Sequence, residues 1–326
     1  MMMNVQATFE DIEFQASRRK TRRAAFLEQM DSVTPWADLV ALVEPHRPRG
    51  GGRGRQPWPT ETLLRMYMVQ CWFNLSDEAT EDALWDSRAV RAFVGCGEGV
   101  PDATTLLRFR RLLEENSLQE AMLSLVNARL ERAGLLMRGG SIVDASIVEA
   151  PSSTKNAKGE RDPEMHQTKK GGQYYFGMKV HAAVDAGTGY AVAASFTPAN
   201  VHDICELHGL VRDGDTVVFA DSGYRGCAKR PEIASDPRLS AVDWRVCATP
   251  SKKRGLKGAD REEERRTSSV RVHVEHLFAL LKRTFGYSKA RYRGIAKNAA
   301  RIWALLASAN LLYCARAGRQ GEFLAA

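Results

Sequence analysis

Five side chains in the second half of the chain could carry chemistry. Asp144 stands inside SIVDASIVEA (Ser141–Ala150), a run of apolar and small residues where a carboxylate is costly unless a cation pairs with it. Asp221 closes the apolar stretch TVVFAD and is followed by Ser222 and Gly223. Glu275 lies within SSVRVHVEHLFALLKRTFG (Ser268–Gly286), whose pattern predicts one helix. At about 100° per residue, Arg271, Glu275 and Lys282 fall within about 40° of one another, and Val270, Val274, Leu277 and Leu281 form a separate stripe that docks on a core. Taken alone, Arg271 and Glu275 at i, i+4 would be a surface ion pair worth a few tenths of a kcal/mol. With Asp144 and Asp221 placed opposite Glu275, three carboxylates and no Cys or His make a hard-oxygen donor set suited to Mg²⁺, with Mn²⁺ able to substitute. Two such ions roughly 4 Å apart clamp the attacking and leaving oxygens of an in-line phosphoryl displacement.

Such a convergence needs a sheet and a helix laid over it. After Gly139-Gly140 the pattern turns from helix to strand: SIVDASIVEA, QYYFGMKVHAAVDA and GYAVAASFTPA read as three consecutive antiparallel strands. A short helix at 203–208, the strand TVVFAD, a weaker strand at WRVCATP and the helix bearing Glu275 follow. This is the order of an RNase H-like mixed α/β domain, in which the first strand is central and Asp221 ends the strand beside it. The polar stretch from Pro151 to Gly172 is expected to be one long loop, and the apolar Lys297–Ala317 to be a helix covering the sheet. Tyr174, Tyr175 and Phe176 could stack on bases but are expected in the strand core, and Asp185 is expected in a turn. His273 and His276 are read as structural, since they lie off the Glu275 face. Residues 60–134 are helical throughout, with starts at Thr60, Ser76 and Asp102. Three parts result: a basic arm and linker (1–59), an all-helical DNA-binding or dimerisation domain (60–138), and the RNase H-like catalytic domain with its C-terminal helix (139–326).

In the 326 residues, 47 Lys and Arg outweigh 39 Asp and Glu, a net charge of +8 that suits a polyanionic partner. Basic residues cluster at Arg18, Arg19, Lys20, Arg22 and Arg23, and again at Arg47, Arg49, Arg53 and Arg55 among Gly and Pro. The helix from Asp102 turns Arg108 and Arg111 outward beside Arg110, as a helix crossing DNA would. Six scattered cysteines with no CxxC pair indicate neither a disulfide framework nor a zinc knuckle. No apolar run reaches membrane-spanning length and no signal-peptide core is present, so the expectation is a cytoplasmic, nucleoid-associated protein with no membrane partner.

The spacing of Arg271, Glu275 and Lys282 resembles the signature of the DDE transposases of the bacterial insertion sequence 5 family, within the insertion sequence 4-like superfamily: Tyr, two residues, Arg, three residues, Glu, six residues, Lys. Ser268 stands where that family has its Tyr. Further matching stretches, in order, are SDEATEDALWDS, PDATTLLRFRRLLE, IVDASIVEAPSSTKN, RDPEMHQTKKG, YFGMKVHAAVDA, TPANVHD, ADSGYRG and ARYRGIAKN, so the resemblance covers essentially the whole chain. It implies a transposase that binds the terminal inverted repeats of its element, hydrolyses a strand at each end, and joins the freed 3′-OH to target DNA without a covalent protein intermediate. Asp144, Asp221 and Glu275 would hold two Mg²⁺ ions, Arg271 and Lys282 would hold phosphates, and the protein would act as a homodimer or higher homo-oligomer on DNA. Lys179, His181, Asn200, His202 and Asp203 also stand in matching stretches; they are read as structural, with support of the site as the alternative. Residues 222–274 leave no room for the large β insertion of some related transposases. The alternatives are a two-metal nuclease or resolvase on the same fold, and a non-catalytic DNA-binding regulator derived from a transposase.

Overall fold

In the computed structural model, which describes residues 20–48, 56–97, 99–137, 139–155, 157 and 159–326, the helices of the first half begin where capping residues stand. Thr21 accepts from Ala24 N ahead of α1 (Arg22–Asp31), and α2 spans Trp36–Val43. Helix α3 (Thr60–Trp72) is buried on nearly every side. Ser76 caps α4 (Asp77–Asp86), Ser87 caps α5 (Arg88–Val94), and Asp102 caps α6 (Ala103–Glu115), each side chain accepting a first-turn N–H. The described residues up to Leu118, with Cys314–Leu324, form one compact unit. Arg110 belongs to its interior: it is 7% exposed and bonds Asp77 and Gln70, the latter at 3.2 Å.

The second unit, Gln119–Tyr313 with Ala325–Ala326, holds a six-stranded mixed sheet. Strand β1 (Gly140–Glu149) pairs antiparallel with β3 (Gln173–Asp185), which pairs antiparallel with β4 (Ala191–Pro198). On its other side β1 runs parallel to β5 (Val217–Ala220), and β5 runs parallel to β6 (Asp243–Val246). The chain is thus an α/β protein in which a helical region precedes a mixed sheet, consistent with an RNase H-like fold, and β1 is central. Helix α7 (Leu118–Arg132) packs with the sheet, where Asn127 donates to Ala191 O at 3.1 Å and accepts from Asn310 at 2.7 Å.

The stretch from Pro151 to Gly172 is not one loop. Its last part forms β2 (His166–Lys170), which turns through Gly171 and Gly172 and pairs back on the start of β3. Both glycines have positive φ (59° and 85°), as a two-residue hairpin turn matched to strand twist requires. The sequence hid the strand because both of its faces are largely exposed, so no apolar alternation marks it. The polar segment before it is anchored elsewhere: Asp162 accepts from Gly294 N at 2.7 Å and Glu164 from Ile295 N at 2.8 Å, at the start of the C-terminal helix Ile295–Arg316. That helix covers the sheet as expected, Trp303 meeting Phe196 of β4 edge to face at 5.3 Å. No described helix is long and apolar enough to cross a membrane.

Gly177 is where β3 changes partners within the sheet. Its pairing with β1 ends there, at Glu149, and its pairing with β2 begins there, at His166. A Cβ at this position would lie 2.1 Å from Val148 O and 3.0 Å from both Ala150 N and Glu149 Cα. Gly177→Ala therefore pushes two strands apart and is expected to cost about 2 kcal/mol or more in urea unfolding. A loss below about 0.5 kcal/mol would mean that the two strands are not so closely apposed.

Candidate active site

Strands β1 and β5 run parallel with Val143 opposite Ala220, which sets the next residues, Asp144 and Asp221, side by side. Ala145 N–H donates to Asp144 Oδ1 at 2.8 Å and Arg271 Nη2 donates to Oδ2 at 3.2 Å. Burial pushes the Asp144 carboxyl up to about 6; Arg271 and the Ala145 N–H pull it down, and the charge of Asp221 raises it further. Asp221 folds back so that Oδ1 accepts from Gly223 N at 2.7 Å, capping the turn Ser222–Tyr224. A Cβ on residue 223 would lie 2.9 Å from that oxygen, so the glycine makes room for the carboxylate.

The segment read as one helix is three pieces. Helix α8 (Gly258–Val270) ends at Arg271, α9 (Val272–Ala279) starts anew, and Leu280–Thr284 is a π turn, with Phe285 N–H reaching Leu280 O at 3.0 Å. The β-branched run Val270, Val272, Val274 favours a break, and a π turn is wider than an α turn. The 100° spacing therefore fails past Ala279, whereas across Arg271 the right-handed turn persists, its carbonyl still accepting from Glu275 N at 3.5 Å. The apolar stripe holds: Val274, Leu277 and Leu281 are buried. The polar positions do not share one environment. Arg271 is turned inward against Asp144 and approaches Cys247 Sγ at 3.9 Å, while Glu275 is exposed. Lys282 is half-buried; burial lowers its pKa, Lys170 lowers it further, and Glu149 opposes them.

A divalent cation fits part of this arrangement. Asp144 and Asp221 are adjacent hard-oxygen donors, and the Asp144 carboxyl, raised chiefly by burial and less by the charge of Asp221, is one whose ionised form a cation would stabilise. Glu275 does not join them here. Among the described residues no three His, Cys, Asp or Glu side chains gather closely enough to hold a metal ion.

Of the other basic positions expected to meet DNA, Arg108 and Arg111 are exposed on the outer face of α6. Arg47 is held within its own unit, donating to Thr60 Oγ1 at 2.6 Å; burial lowers its pKa while Glu44 raises it. Arg49, Arg53 and Arg55, like Arg18 and Arg19, lie outside the described residues.

Sequence reasoning left the opposite face of the sheet without a geometry. There Lys179 Nζ meets Asp203 Oδ1 at 2.8 Å and donates to Val201 O at 2.6 Å, and His181 Nε2 pairs with Thr197 Oγ1 at 2.8 Å. Burial lowers the His181 pKa, while Asp203 and Glu206 oppose the shift. The hydroxyl of fully buried Tyr224 has no hydrogen-bond partner; burial raises its pKa, as do the charges of Asp203, Asp144 and Asp221. Lys179, His181, Asp203 and Tyr224 all stood in matching stretches, the last in ADSGYRG, but nothing in the sequence set Tyr224 apart from the residues around Asp221. Ser268 lies in a polar network of its own, accepting from Lys253 Nζ at 3.0 Å and donating to Glu264 Oε1 at 3.2 Å.

Residues 136–311 match the family described as Transposase DDE domain, and residues 14–112 match one described as Transposase domain (DUF772). The first match takes in more than half of the chain, with Asp144, Asp221, Arg271, Glu275 and Lys282 inside it.

The Asp144 shift sets a pH dependence. A carboxyl whose folded pKa, about 6 here, lies above its unfolded value of about 3.9 holds its proton more tightly when folded. Its ionised form is then a cost to the fold above about pH 6, relieved as the pH falls toward about 4. Asp144→Asn is always neutral and lacks this dependence. The thermal midpoint of the wild type relative to the variant is expected to be lower at about pH 8 than at about pH 5. Equal differences at both would refute the shift.

Proposed function

This chain belongs to the Transposase DDE domain family, and from that premise we propose that it is an insertion sequence 5-type transposase. In this reading it binds the inverted repeats of its element as a homodimer or higher oligomer, cleaves DNA there, and joins the 3′-OH ends to a target. The observation that carries the reading is the pair Asp144 and Asp221, side by side just past the parallel-paired stretch of β1 and β5, with Arg271 against one of them. The same geometry would serve a nuclease that never joins, so joining is the activity to measure.

Asp144, Asp221 and Glu275 are the residues to hold Mg²⁺ or Mn²⁺. Such ions, when bound, would supply Lewis acidity at the scissile phosphate and at the attacking oxygen. Arg271 neutralises Asp144 in the DNA-free protein. Its guanidinium fork, beside the two carboxylates, is also the group to grip a phosphate of the DNA in a bidentate manner. Glu275 reaches the pair by a movement of α9, a segment separated from α8 by the break at Arg271. Lys282, beyond the π turn, meets a neighbouring phosphate as a point charge. The exposed Arg108 and Arg111, with Arg47, Arg49, Arg53 and Arg55, add sequence-independent affinity for the duplex.

Asp144→Asn, Asp221→Asn and Glu275→Gln are each expected to slow cleavage of the element's own flanking DNA on the order of a thousandfold, with end binding little changed. Any one of them cleaving at near wild-type rate in Mg²⁺ would remove that residue from the set. EDTA stops the wild type. Lys282→Ala is expected to reduce joining of a pre-cleaved end about tenfold while binding of Mn²⁺ to the DNA-free protein is unchanged; wild-type joining would sink the phosphate role.

A further inference from the structure

The hairpin of β2 and β3 carries features that neither the carboxylate site nor the core uses. In an antiparallel pair, opposed residues share a face, and the face alternates along each strand. Asp144 is opposed to Ala182, so even-numbered residues of β3 from 174 to 182 lie on the Asp144 face. Tyr174 and Phe176 are two of them, and Lys169, opposed to Tyr174, is on that face as well. Each ring is matched with a cation: Lys169 Nζ lies 5.4 Å from the centre of Tyr174, and Arg161 Cζ lies 5.4 Å from the centre of Phe176. Tyr174 is nevertheless 63% exposed, against the expectation that this aromatic run would be core.

The hairpin's charge also bears on the site: Lys170, at its tip, lowers the pKa of both Asp144 and Lys282. Gly177, where the pairing of β3 with β1 ends and that with β2 begins, joins the hairpin to the rest of the sheet.

We propose that the β2–β3 hairpin is an arm that takes an unpaired DNA strand, with Tyr174 stacking on a base and Lys169 on its phosphates, and guides it onto the Asp144 face. Alternating rings and cations are what such a strand needs: π-faces that accept any base, and positive charge along the backbone. A blunt duplex offers no free base to Tyr174. The arm thus favours an end whose strands have separated, and it acts before any bond is broken. This rests on the transposase reading, from which the test can be told apart.

The test is fluorescence anisotropy without divalent cation, using two labelled probes: a duplex of arbitrary sequence, and the same duplex with about five mismatched pairs at one end. The wild-type protein is expected to bind the open-ended probe about tenfold more tightly, the worth of one stacked base. Tyr174→Ala is expected to abolish that preference with affinity for the paired probe unchanged, and Tyr174→Trp to keep it. Lys169→Ala is expected to weaken binding and to lower the salt slope by about one. A wild-type protein with no preference, or a Tyr174→Ala variant that retains it, would overturn the proposal while leaving the transposase reading intact. Failure of the wild type to bind either probe at low salt would instead overturn the transposase reading itself.

Discussion

A carboxylate on the central strand of a sheet sets the terms for much of the second unit. Asp144 is only 19% exposed and has the carboxylate of Asp221 for a neighbour, an arrangement that two anions keep only if positive charge is brought to them. In the protein alone that charge is Arg271, an arginine from a segment far along the chain. The break between α8 and α9 falls at the residue that makes the pair. The local structure of the second half can be read as a set of means for delivering charge to one strand end: a parallel β5 to bring Asp221, a glycine to let it fold back, and a broken helix to bring the arginine inward.

Much of this was legible beforehand. The strands themselves follow from β-branched runs, and the central place of β1 and the nearness of Asp144 to Asp221 from the order of the elements, which is that of an RNase H-like domain. Caps at Ser76 and Asp102 were readable because those side chains act on their own neighbours. What could not be read depended on partners far away in sequence. Arg271 looks like a surface residue on a helical wheel, and only Asp144, on a different element, explains why it turns inward. Strand β2 has no apolar face, so nothing within it announces a strand; its partner on β3 makes it one. The π turn is likewise invisible to a pattern that assumes one period throughout.

The departure at Ser268 illustrates how a small side chain can be absorbed. Its hydroxyl sits between Lys253 and Glu264, and Glu264 also accepts the Ala248 N–H at 2.9 Å. Burial pushes the Glu264 carboxyl up, but the bonds from Lys253, Ala248 and Ser268 together hold it below the usual range. The middle and last turn of α8 are thereby tied to the segment just after β6, which steadies the helix that delivers Arg271.

The two partners of the central ion pair are 127 residues apart in sequence. At about 5–20 residues per second, a ribosome takes roughly six to twenty-five seconds to pass from one to the other. Throughout that interval the nascent β1 has its carboxylate and lacks the arginine, so the central strand cannot settle in its final surroundings on the time scale on which hairpins and helices ordinarily form. The platform is assembled late, by a segment made after every strand of the sheet. An incomplete chain, stalled before that segment, has both aspartates and neither the glutamate nor the arginine.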